Sequence, residues 1–172
     1  LAAEKGYTEI IDDILNYGPD IDARDKYGKN ALFYAIESNC ENSDIASRLI
    51  EKGINVDCQA NDKSTPLLKA IEKGYLEIAR LLLKNKAFTH YVNDNGGCCS
   101  LKSMALLNLH FLDTLLHIAA RKKSRGAMEL LINHGADPYK KNKSNQTVFD
   151  LCQEDSLARD IEELYKKHKV AN

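Results

Sequence analysis

Cysteine and histidine are the side chains of this sequence best suited to metal binding or nucleophilic chemistry. Cys98, Cys99 and His110 lie close together in the chain and are the first candidates for such a site. Adjacent cysteines fit zinc poorly, because roughly two to four residues usually separate the paired ligands of a structural zinc site. We therefore expect no metal here. A thiol activity of Cys98 or Cys99 is a separate hypothesis, because it depends on thiol reactivity and not on ligand spacing.

The other candidate histidines have structural explanations. His117 falls near the start of a helical segment, where we expect a hydrogen bond with Thr114 or nearby backbone that steadies the helix start. His134 falls in the last turn of a helix, where the helix dipole mildly favours a cation. The sequence contains neither a P-loop nor a G-x-S-x-G nucleophile motif. We predict a protein that is not an enzyme and has no cofactor.

Basic residues cluster at one turn and near the C-terminus. Arg121, Lys122, Lys123 and Arg125 form the first cluster, for which a solvated turn and a contact with an acidic partner are both open. We interpret the lysines around His168 as a solvated helix end. The net charge of the whole chain is only −1, so we expect no nucleic-acid partner and no general attraction to membranes.

The composition is that of an ordinary folded domain. The chain has 172 residues, of which 44% are hydrophobic and 28% are charged. Its five cysteines are odd in number and irregular in spacing, which favours the cytoplasm or another reducing compartment over a disulfide scaffold. No apolar run reaches the ~20 residues that cross a bilayer, and no signal peptide is visible. We predict no direct membrane insertion.

The elements that carry these residues repeat along the chain. Thr114–Ala120 has the pattern of a short helix, and Met128–Ile132 that of a second apolar helix, which Gly135 ends. A helix pair of this kind cannot bury its apolar face alone, so we expect such pairs to stack. Related segments recur in phase with this one, namely Leu1–Ala3 with Gly18, Asn30–Leu32 with Gly53, Thr65–Leu67 with Leu81–Leu83, and Thr147–Cys152 with Ile161–Leu164.

This pattern resembles the ankyrin repeat, whose signature is T-P-L-H-x-A in units of about 33 residues. The stretch from Thr114 to Asp137 carries the likeness most fully. The resemblance implies an all-α fold, an ankyrin-repeat solenoid of helix-turn-helix units with short β-hairpin fingers. It divides one domain, residues 1–172, into a partial repeat 1 (1–24), repeat 2 (25–59), repeat 3 (60–92), repeat 4 (93–141, with an insertion at 98–112) and a degenerate C-terminal capping repeat (142–172).

Helix boundaries can be predicted from single residues. Gly18 should stop the first long helix by taking the left-handed conformation. Asn30 is a reasonable N-cap, and Pro66 after Thr65 suits a first helical position, where its missing N–H costs nothing. Asp25 to Gly28 is a turn signal that the resemblance places at a finger tip.

Two further predictions concern packing and strain. Four apolar residues recur at helical spacing and should form the face of the first long helix that packs on the next unit: Ile10, Ile11, Ile14 and Leu15. Lys86 stands where the repeat pattern expects glycine, which should strain the following turn.

The insertion at 98–112 is the least generic stretch of the sequence. It carries several apolar side chains at helical spacing, including Leu101, Met104 and Phe111. One reading is a segment that binds a partner beside the repeats, and the other is a loop that packs on its own repeats. An exposed segment this apolar favours aggregation, so we expect some burial under both readings.

In the family that the sequence resembles, finger tips and first helices form a concave surface that binds proteins. The resemblance therefore implies a non-catalytic monomer with one or more protein partners. Tyr27 is the best anchor candidate, because aromatic side chains are enriched among interface hot spots. The other expected contact residues are Lys26, Lys29, Glu37, Asn61, Asp62, Ser64, Glu72, Lys73, Asp94, Asn95, Arg121 and Lys122, with Leu101, Met104 and Phe111 from the insertion.

An alternative function places the activity outside this sequence. The chain starts inside a repeat, so we expect a fragment, and the repeats are then the targeting domain of a larger enzyme, channel or host-directed effector. The preference for Lys over Arg and the many Asn and Ile residues hint at an AT-rich genome, such as that of an intracellular bacterium, a virus or a protist. An effector of this kind would act in the host cytosol.

Overall fold

The structure is a computed structural model that describes residues 2–38, 41–85, 87, 91–92, 98–99, 111–142, 144–152 and 155–171. The chain divides into two compact units, Leu1–Cys98 and Cys99–Asn172. Described helices of the first unit are α1 (Ala2–Lys5), α2 (Thr8–Asn16), α3 (Ala31–Glu37), α4 (Ser43–Glu51), α5 (Pro66–Lys73) and α6 (Leu76–Lys84). Those of the second unit are α7 (Phe111–Arg121), α8 (Arg125–Asn133), α9 (Val148–Leu151) and α10 (Asp155–Ala171).

The helices of the first unit form two layers. One layer contains α1, α3 and α5, the other contains α2, α4 and α6, and each helix contacts its partner in the other layer. The sequence of α6 shows why, because its apolar residues recur three and four positions apart and so share one face. On that face Ile78 and Leu82 are fully buried. Neighbouring helix pairs therefore bury one another's apolar faces, as in stacked repeats.

Among the described residues, the core of the first unit is made of aliphatic side chains and the ring of Phe33. Burying a Leu, Ile or Phe side chain stabilises the folded state by roughly 1.5–3 kcal/mol. Phe33 is fully buried with Cys58 and Ala60, which belong to the next finger. The largest fully buried side chains of this unit are those of Leu32, Phe33, Ile36, Ile45, Leu67, Ile71, Ile78 and Leu82.

The predicted helix boundaries are confirmed at the residues that carry them. The Asn30 side chain accepts a hydrogen bond from the Phe33 N–H at 3.4 Å. Thr65 Oγ1 accepts the Leu68 N–H at 3.3 Å, and proline is the first residue of α5. Gly18, just beyond α2, has a φ of 66°. These residues act on backbone within a few positions of themselves, which is why the sequence alone could identify them.

The apolar face of α2 differs from its prediction. Ile11 is only 6% exposed, whereas Ile10 and Ile14 are 47% and 44% exposed. The prediction that all these residues pack on the next unit is therefore wrong for Ile10 and Ile14. The reason is geometric, because α2 contacts α1 and α4, and those neighbours do not reach the side of the helix on which these two residues lie.

The second unit has the same helix-pair plan. α7 packs on α8 and on α9, and α8 packs on α10. At the start of α9, Thr147 Oγ1 accepts the Asp150 N–H at 3.3 Å, and the Asp150 carboxylate accepts the Thr147 N–H at 2.7 Å. This capping box satisfies two helix-end donors at once. The residues assigned to a capping repeat thus form α9 and α10, and Ile161 of α10 is buried.

Short strands β1 (Tyr91–Val92) and β2 (Cys98–Cys99) pair in a two-stranded sheet. β2 occupies the start of the predicted insertion 98–112, and α7 begins at Phe111. The predicted insertion therefore includes β2 at its start and the first two residues of α7 at its end. Residues 100–110 and Lys86 lie outside the described part of the chain, and so do the predictions made for them.

Finger tips of the chain share a backbone shape but not a residue type. Gly28, Lys63 and Asn145 have φ values of 75°, 63° and 62°. Each donates its N–H to the carbonyl three residues earlier, at 2.9 Å. Asparagine tolerates this left-handed region well, but for most residues with a Cβ it costs roughly 1–2 kcal/mol. The fold therefore imposes strain on Lys63.

Replacing Lys63 should separate this strain from the contacts of its side chain. We expect Lys63→Gly to be more stable than Lys63→Ala by about 1 kcal/mol, because both variants remove the lysine side chain and only glycine removes the left-handed strain. Urea denaturation measures both values. The pair Lys52→Gly and Lys52→Ala serves as control, since Lys52 has a φ of −81° and alanine should be the more stable there. Equal stabilities at position 63 would contradict the argument.

Candidate interaction surface

Side-chain hydrogen bonds reinforce the backbone turn at the finger tips. Asp25 Oδ1 accepts the N–H groups of Tyr27 at 2.9 Å and Lys29 at 2.8 Å. In the second unit, Asn142 Oδ1 accepts the Ser144 N–H at 2.8 Å in the same way. Asp and Asn favour such turns because their short side chains reach the backbone two residues on. The tip backbone is therefore held in one conformation before any partner arrives.

Asn61 joins the two neighbouring tips of the first unit. Its N–H donates to the Tyr27 carbonyl at 2.9 Å, and its side-chain amide donates to the Lys26 carbonyl at 3.0 Å. The approach is so close that a Cβ at Gly28 would lie 2.6 Å from Asn61 Oδ1. Asn61 was expected to contact a partner, but its side chain also connects two tips. Glycine at position 28 therefore leaves room for this contact, and it adopts the left-handed turn without strain.

Tyr27 is the exposed aromatic residue of this surface. Its side chain is 54% exposed, and Lys26 Nζ lies 5.0 Å from the centre of its ring. A cation at this distance is attracted by the electron-rich face of the ring. Lys26 and Tyr27 thus share one tip, with the aromatic ring open to solvent.

Lys29 and Glu37 neutralise each other. The Lys29 ammonium lies 2.6 Å and 2.9 Å from the two carboxylate oxygens of Glu37. The side chains are only 20% and 26% exposed. Both were expected to meet a partner, but here they form an ion pair that ties the tip to the end of α3. A partner would have to displace this pair before using either charge.

Lys73 also binds the end of α3. Its ammonium donates to the Glu37 carbonyl at 2.6 Å and to the Ser38 carbonyl at 2.8 Å. The last carbonyls of a helix lack partners inside the helix and carry partial negative charge, so a cation there is favourable. Lys73 therefore connects two repeats. Next to it on α5, the Glu72 carboxylate lies 3.2 Å from Lys69 Nζ.

Asp62 and Ser64 form a closed turn at the second tip. Asp62 Oδ1 accepts the Ser64 N–H at 3.0 Å and the Ser64 hydroxyl at 2.5 Å. These hydrogen bonds lower the pKa of the Asp62 carboxyl below its usual value. Ser64 is only 4% exposed. It therefore stabilises the tip from inside and does not offer its hydroxyl to solvent, contrary to the prediction.

Tyr34 is a site residue that the sequence analysis missed. Its hydroxyl donates to Asp25 Oδ2 at 2.5 Å. This hydrogen bond raises the pKa of Tyr34 to about 12 and lowers the pKa of Asp25. The available signal was positional, because Tyr34 occupies the unspecified x of the T-P-L-H-x-A pattern. A polar residue there reaches the tip that precedes its own helix.

Arg121 and Lys122 lie exposed at the end of α7 in the second unit. Nearby, Arg125 is bound to Asp160 of α10, with a guanidinium nitrogen 2.8 Å from a carboxylate oxygen. The basic cluster predicted from the sequence is therefore split. Arg125 joins two helices, whereas Arg121 and Lys122 face solvent.

His117 is 3% exposed and has a structural contact, with its Nε2 2.9 Å from the Gln146 carbonyl. The sequence predicted a bond near the start of its own helix. The described contact reaches the following finger tip, and the side chain of Thr114 lies outside the described residues. In the first unit Phe33 occupies the equivalent position of the repeat, and there apolar packing on Cys58 and Ala60 takes the place of the hydrogen bond.

Other predicted site residues cannot be placed on this surface. Asp94, Asn95, Leu101 and Met104 lie outside the described residues, and so does the side chain of Phe111, whose backbone is part of α7. The same holds for His110 and for the thiols of Cys98 and Cys99.

Within the described ranges, His, Cys, Asp and Glu form no group that could hold a metal ion. The thiols described there are those of Cys58 and Cys152, and burial raises the pKa of both, which makes a thiol less reactive. No described helix is long and apolar enough to cross a membrane.

Comparison with known proteins places these features in a family. Residues 1–95 match the family model described as ankyrin repeats in three copies, and residues 112–143 match that of a single ankyrin repeat. The chain is 37% identical over 94 residues to an ankyrin repeat protein of Acanthamoeba polyphaga mimivirus, a match that covers 51% of this chain and 14% of the relative.

Other relatives are large proteins of different kinds. The chain is 30% identical over 135 residues to the neurogenic locus Notch protein of Drosophila melanogaster, covering 78% of this chain and 4% of that protein. It is 33% identical over 90 residues to the potassium channel AKT1 of Oryza sativa subsp. indica, covering 52% of this chain and 9% of the channel. The chain thus spans a small part of the length of the curated relatives it matches.

The hydrogen bond between Tyr34 and Asp25 should make stability depend on pH at both extremes. The folded pKa of Tyr34 is about 12 against the usual 10.0, so its contribution is complete below pH 10.0 and lost as the pH rises toward 12. The pKa of Asp25 is lowered from 3.8, so its contribution is present above pH 3.8 and lost as the pH falls through the folded pKa.

In the Tyr34→Phe variant the alkaline loss should become smaller, because the part due to Tyr34 is removed, and the acidic loss should shrink as well. Some of the acidic loss due to Asp25 should remain, because its carboxylate still accepts two backbone N–H groups. Urea denaturation at a series of pH values gives the free energies of unfolding. Tyr17→Phe is the matched control, because that side chain is 91% exposed and should not alter the profile. Parallel profiles for Tyr34→Phe and the original chain would show that the bond does not matter.

Proposed function

Because the chain belongs to the ankyrin repeat family, we propose that it is a non-catalytic module that binds a partner protein through its finger tips and first-helix ends. The observation that carries this proposal is that internal hydrogen bonds order the finger tips of the first unit. Their backbone is held by Asp25 and Asn61, while the ring of Tyr27 stays 54% exposed. A surface that is ordered before binding loses less conformational entropy when a partner docks.

Residues of this surface then have two roles. Contact residues are the exposed Lys26 and Tyr27 at the first tip, with Arg121 and Lys122 of the second unit as a separate basic contact. Supporting residues hold those positions through internal bonds and are not expected to dominate affinity: Lys29, Glu37, Asn61, Asp62, Ser64, Glu72 and Lys73. Of the contact residues predicted from the sequence, Lys26, Tyr27, Arg121 and Lys122 are thus the ones expected to touch the partner.

The chemistry of the first tip favours a particular kind of partner surface. Tyr27 offers a flat apolar ring, and the adjacent Lys26 ammonium adds positive charge at its face. An apolar recess bordered by a carboxylate would satisfy both groups at once. Aromatic anchors of this type, surrounded by polar contacts that exclude water, are common interface hot spots.

Capture from a cell lysate, followed by calorimetry with the identified partner, tests the proposed contact. We expect Tyr27→Ala to weaken binding by about tenfold or more, because it removes the exposed anchor. Tyr17→Ala is the matched control, since Tyr17 is exposed but directly follows the end of α2 and is not part of a finger tip. Melting curves of both variants confirm folding. Equal affinities for the two variants would refute the assignment of Tyr27.

Deletion of residues 100–110 tests whether the insertion contributes. This change leaves β2 and α7 intact, whereas removal of all of 98–112 would cut into both. If the insertion is a recognition element, a partner captured by the whole chain should be lost with the deletion. If the partner is retained, recognition belongs to the repeats. A deleted chain that no longer melts cooperatively would instead assign the segment to packing.

A second candidate function is that of a targeting domain within a larger protein. The observation in its favour is that the chain corresponds to only 4% of Notch and 9% of the potassium channel that it resembles. The enzyme, channel or effector activity would then lie in other sequence. An antibody against this chain, used on its source cells, tests the idea: a native protein much larger than 172 residues supports it, and one of that size opposes it.

A further inference from the structure

A serine is surrounded by basic residues in the turn between α7 and α8. Residues 121–125 read Arg-Lys-Lys-Ser-Arg. The four basic side chains are exposed, and Ser124 is half-buried among them. Arg125 is bound to Asp160, whereas Arg121 and Lys122 face solvent. A hydroxyl group therefore follows directly after a run of positive charges at the protein surface.

The Ser124 hydroxyl is not used to start α8. Ser124 is the N-cap residue of that helix, with a ψ of 87°, and its side chain accepts no cap hydrogen bond. Thr65 and Thr147 are N-caps with ψ values of 160° and 170°, and their side chains do accept one. An N-cap side chain reaches the helix N–H groups from extended backbone of this kind. Modifying the Ser124 hydroxyl therefore removes no cap bond from α8.

Serines elsewhere in the described part of the chain show what distinguishes Ser124. Ser38 and Ser64 are buried, and their hydroxyls donate hydrogen bonds of 2.9 Å and 2.5 Å. Ser156 is exposed, but the three residues ahead of it are Gln, Glu and Asp. Ser144 is exposed and has lysine three residues ahead. None of these four serines has arginine at the third position ahead.

The turn that carries Ser124 is also strained. Lys123 has a φ of 53°, whereas glycine occupies the equivalent place in the first unit, as Gly74 with a φ of 77°. A residue with a Cβ is disfavoured in this left-handed region. Opening the turn breaks the hydrogen bonds from Lys123 and Ser124 to the carbonyls of Ala120 and Ala119, but it also releases the strain. An enzyme that needs an extended segment therefore meets less resistance here than at a glycine turn.

We propose that Ser124 is a phosphorylation site for a protein kinase that recognises basic residues ahead of its acceptor serine. Kinases select substrates by charge pattern, and the Arg121 guanidinium can pair with carboxylates of the kinase cleft. Lys122 adds positive charge beside it. The site does not rest on the proposed function.

The co-substrate of this reaction is ATP. Ser124 Oγ forms a bond to the γ-phosphorus, and the bond between that phosphorus and the ADP oxygen breaks. ADP leaves with the electron pair, and the hydroxyl proton passes to a carboxylate of the kinase. The product phosphate carries a charge of roughly −1.5 to −2 at neutral pH. It would stand among four basic side chains, so about half of the positive charge of this turn would be neutralised.

Phosphate transfer to the complete folded chain tests the proposal. The chain is incubated with magnesium, ATP and the catalytic subunit of cyclic-AMP-dependent protein kinase, and tandem mass spectrometry locates the phosphate. We expect it on Ser124, and Ser124→Ala should abolish it. Arg121→Ala should lower kcat/KM by about tenfold or more, because it removes the charge-assisted hydrogen bonds to the kinase.

Ser144→Ala and Ser156→Ala are the matched controls, because both serines are exposed. Neither substitution should reduce phosphate incorporation. Melting curves show whether each variant folds, and Ser124→Ala should melt like the original chain because no cap bond is lost. Locating the phosphate on the unaltered chain does not depend on the folding of any variant.

A peptide of residues 118–128 separates the sequence motif from the fold. We expect the kinase to modify both the peptide and the folded chain at Ser124. Phosphate on the peptide alone would show that the fold withholds the serine. That result, phosphate on Ser144 in place of Ser124, no phosphate on either substrate, or an unchanged kcat/KM for Arg121→Ala would each overturn the proposal.

Discussion

The apolar face of each helix pair in the first unit can be buried only by another helix pair, and the rest of that unit depends on this constraint. A short helix has too few neighbours within its own pair to remove its aliphatic side chains from water. Ile45 in α4 and Ile78 in α6 are fully buried where a preceding pair covers them, whereas Ile10, at the same place in α2, is 47% exposed. Identical side chains at equivalent positions thus differ through their neighbours alone.

Polar bonds between pairs set the register in which these faces meet. Helix ends carry backbone groups that the helix itself cannot satisfy, and here neighbouring repeats supply partners for them. Lys73 completes the carbonyl end of α3, Glu41 completes the start of α6, and Asn61 links two finger tips. Apolar packing favours many relative positions of two helices, but bonds of this kind are satisfied in only one.

The same bonds explain why the candidate surface could be predicted only in outline. The repeat pattern correctly located finger tips and first-helix ends, because those follow from spacing. It could not show that Lys29 is paired with Glu37 or that Ser64 is buried, since exposure depends on groups distant in sequence. Tyr34 escaped notice for the same reason, because its partner Asp25 belongs to the preceding tip. The ring of Tyr27 stays 54% exposed, with the ammonium of its chain neighbour Lys26 beside it.

Sequence alone determined the family, the helix pairs and their boundaries. Asn30, Thr65 and Gly18 act on backbone within a few residues of themselves, so their effects can be read without a structure. Tertiary structure alone decided which surface side chains bond across repeats and which stay open. It also decided that His117 reaches the Gln146 carbonyl and that Ile10 and Ile14 are uncovered. Such outcomes depend on which neighbour is present and how it packs, and a side chain's type does not encode its neighbours.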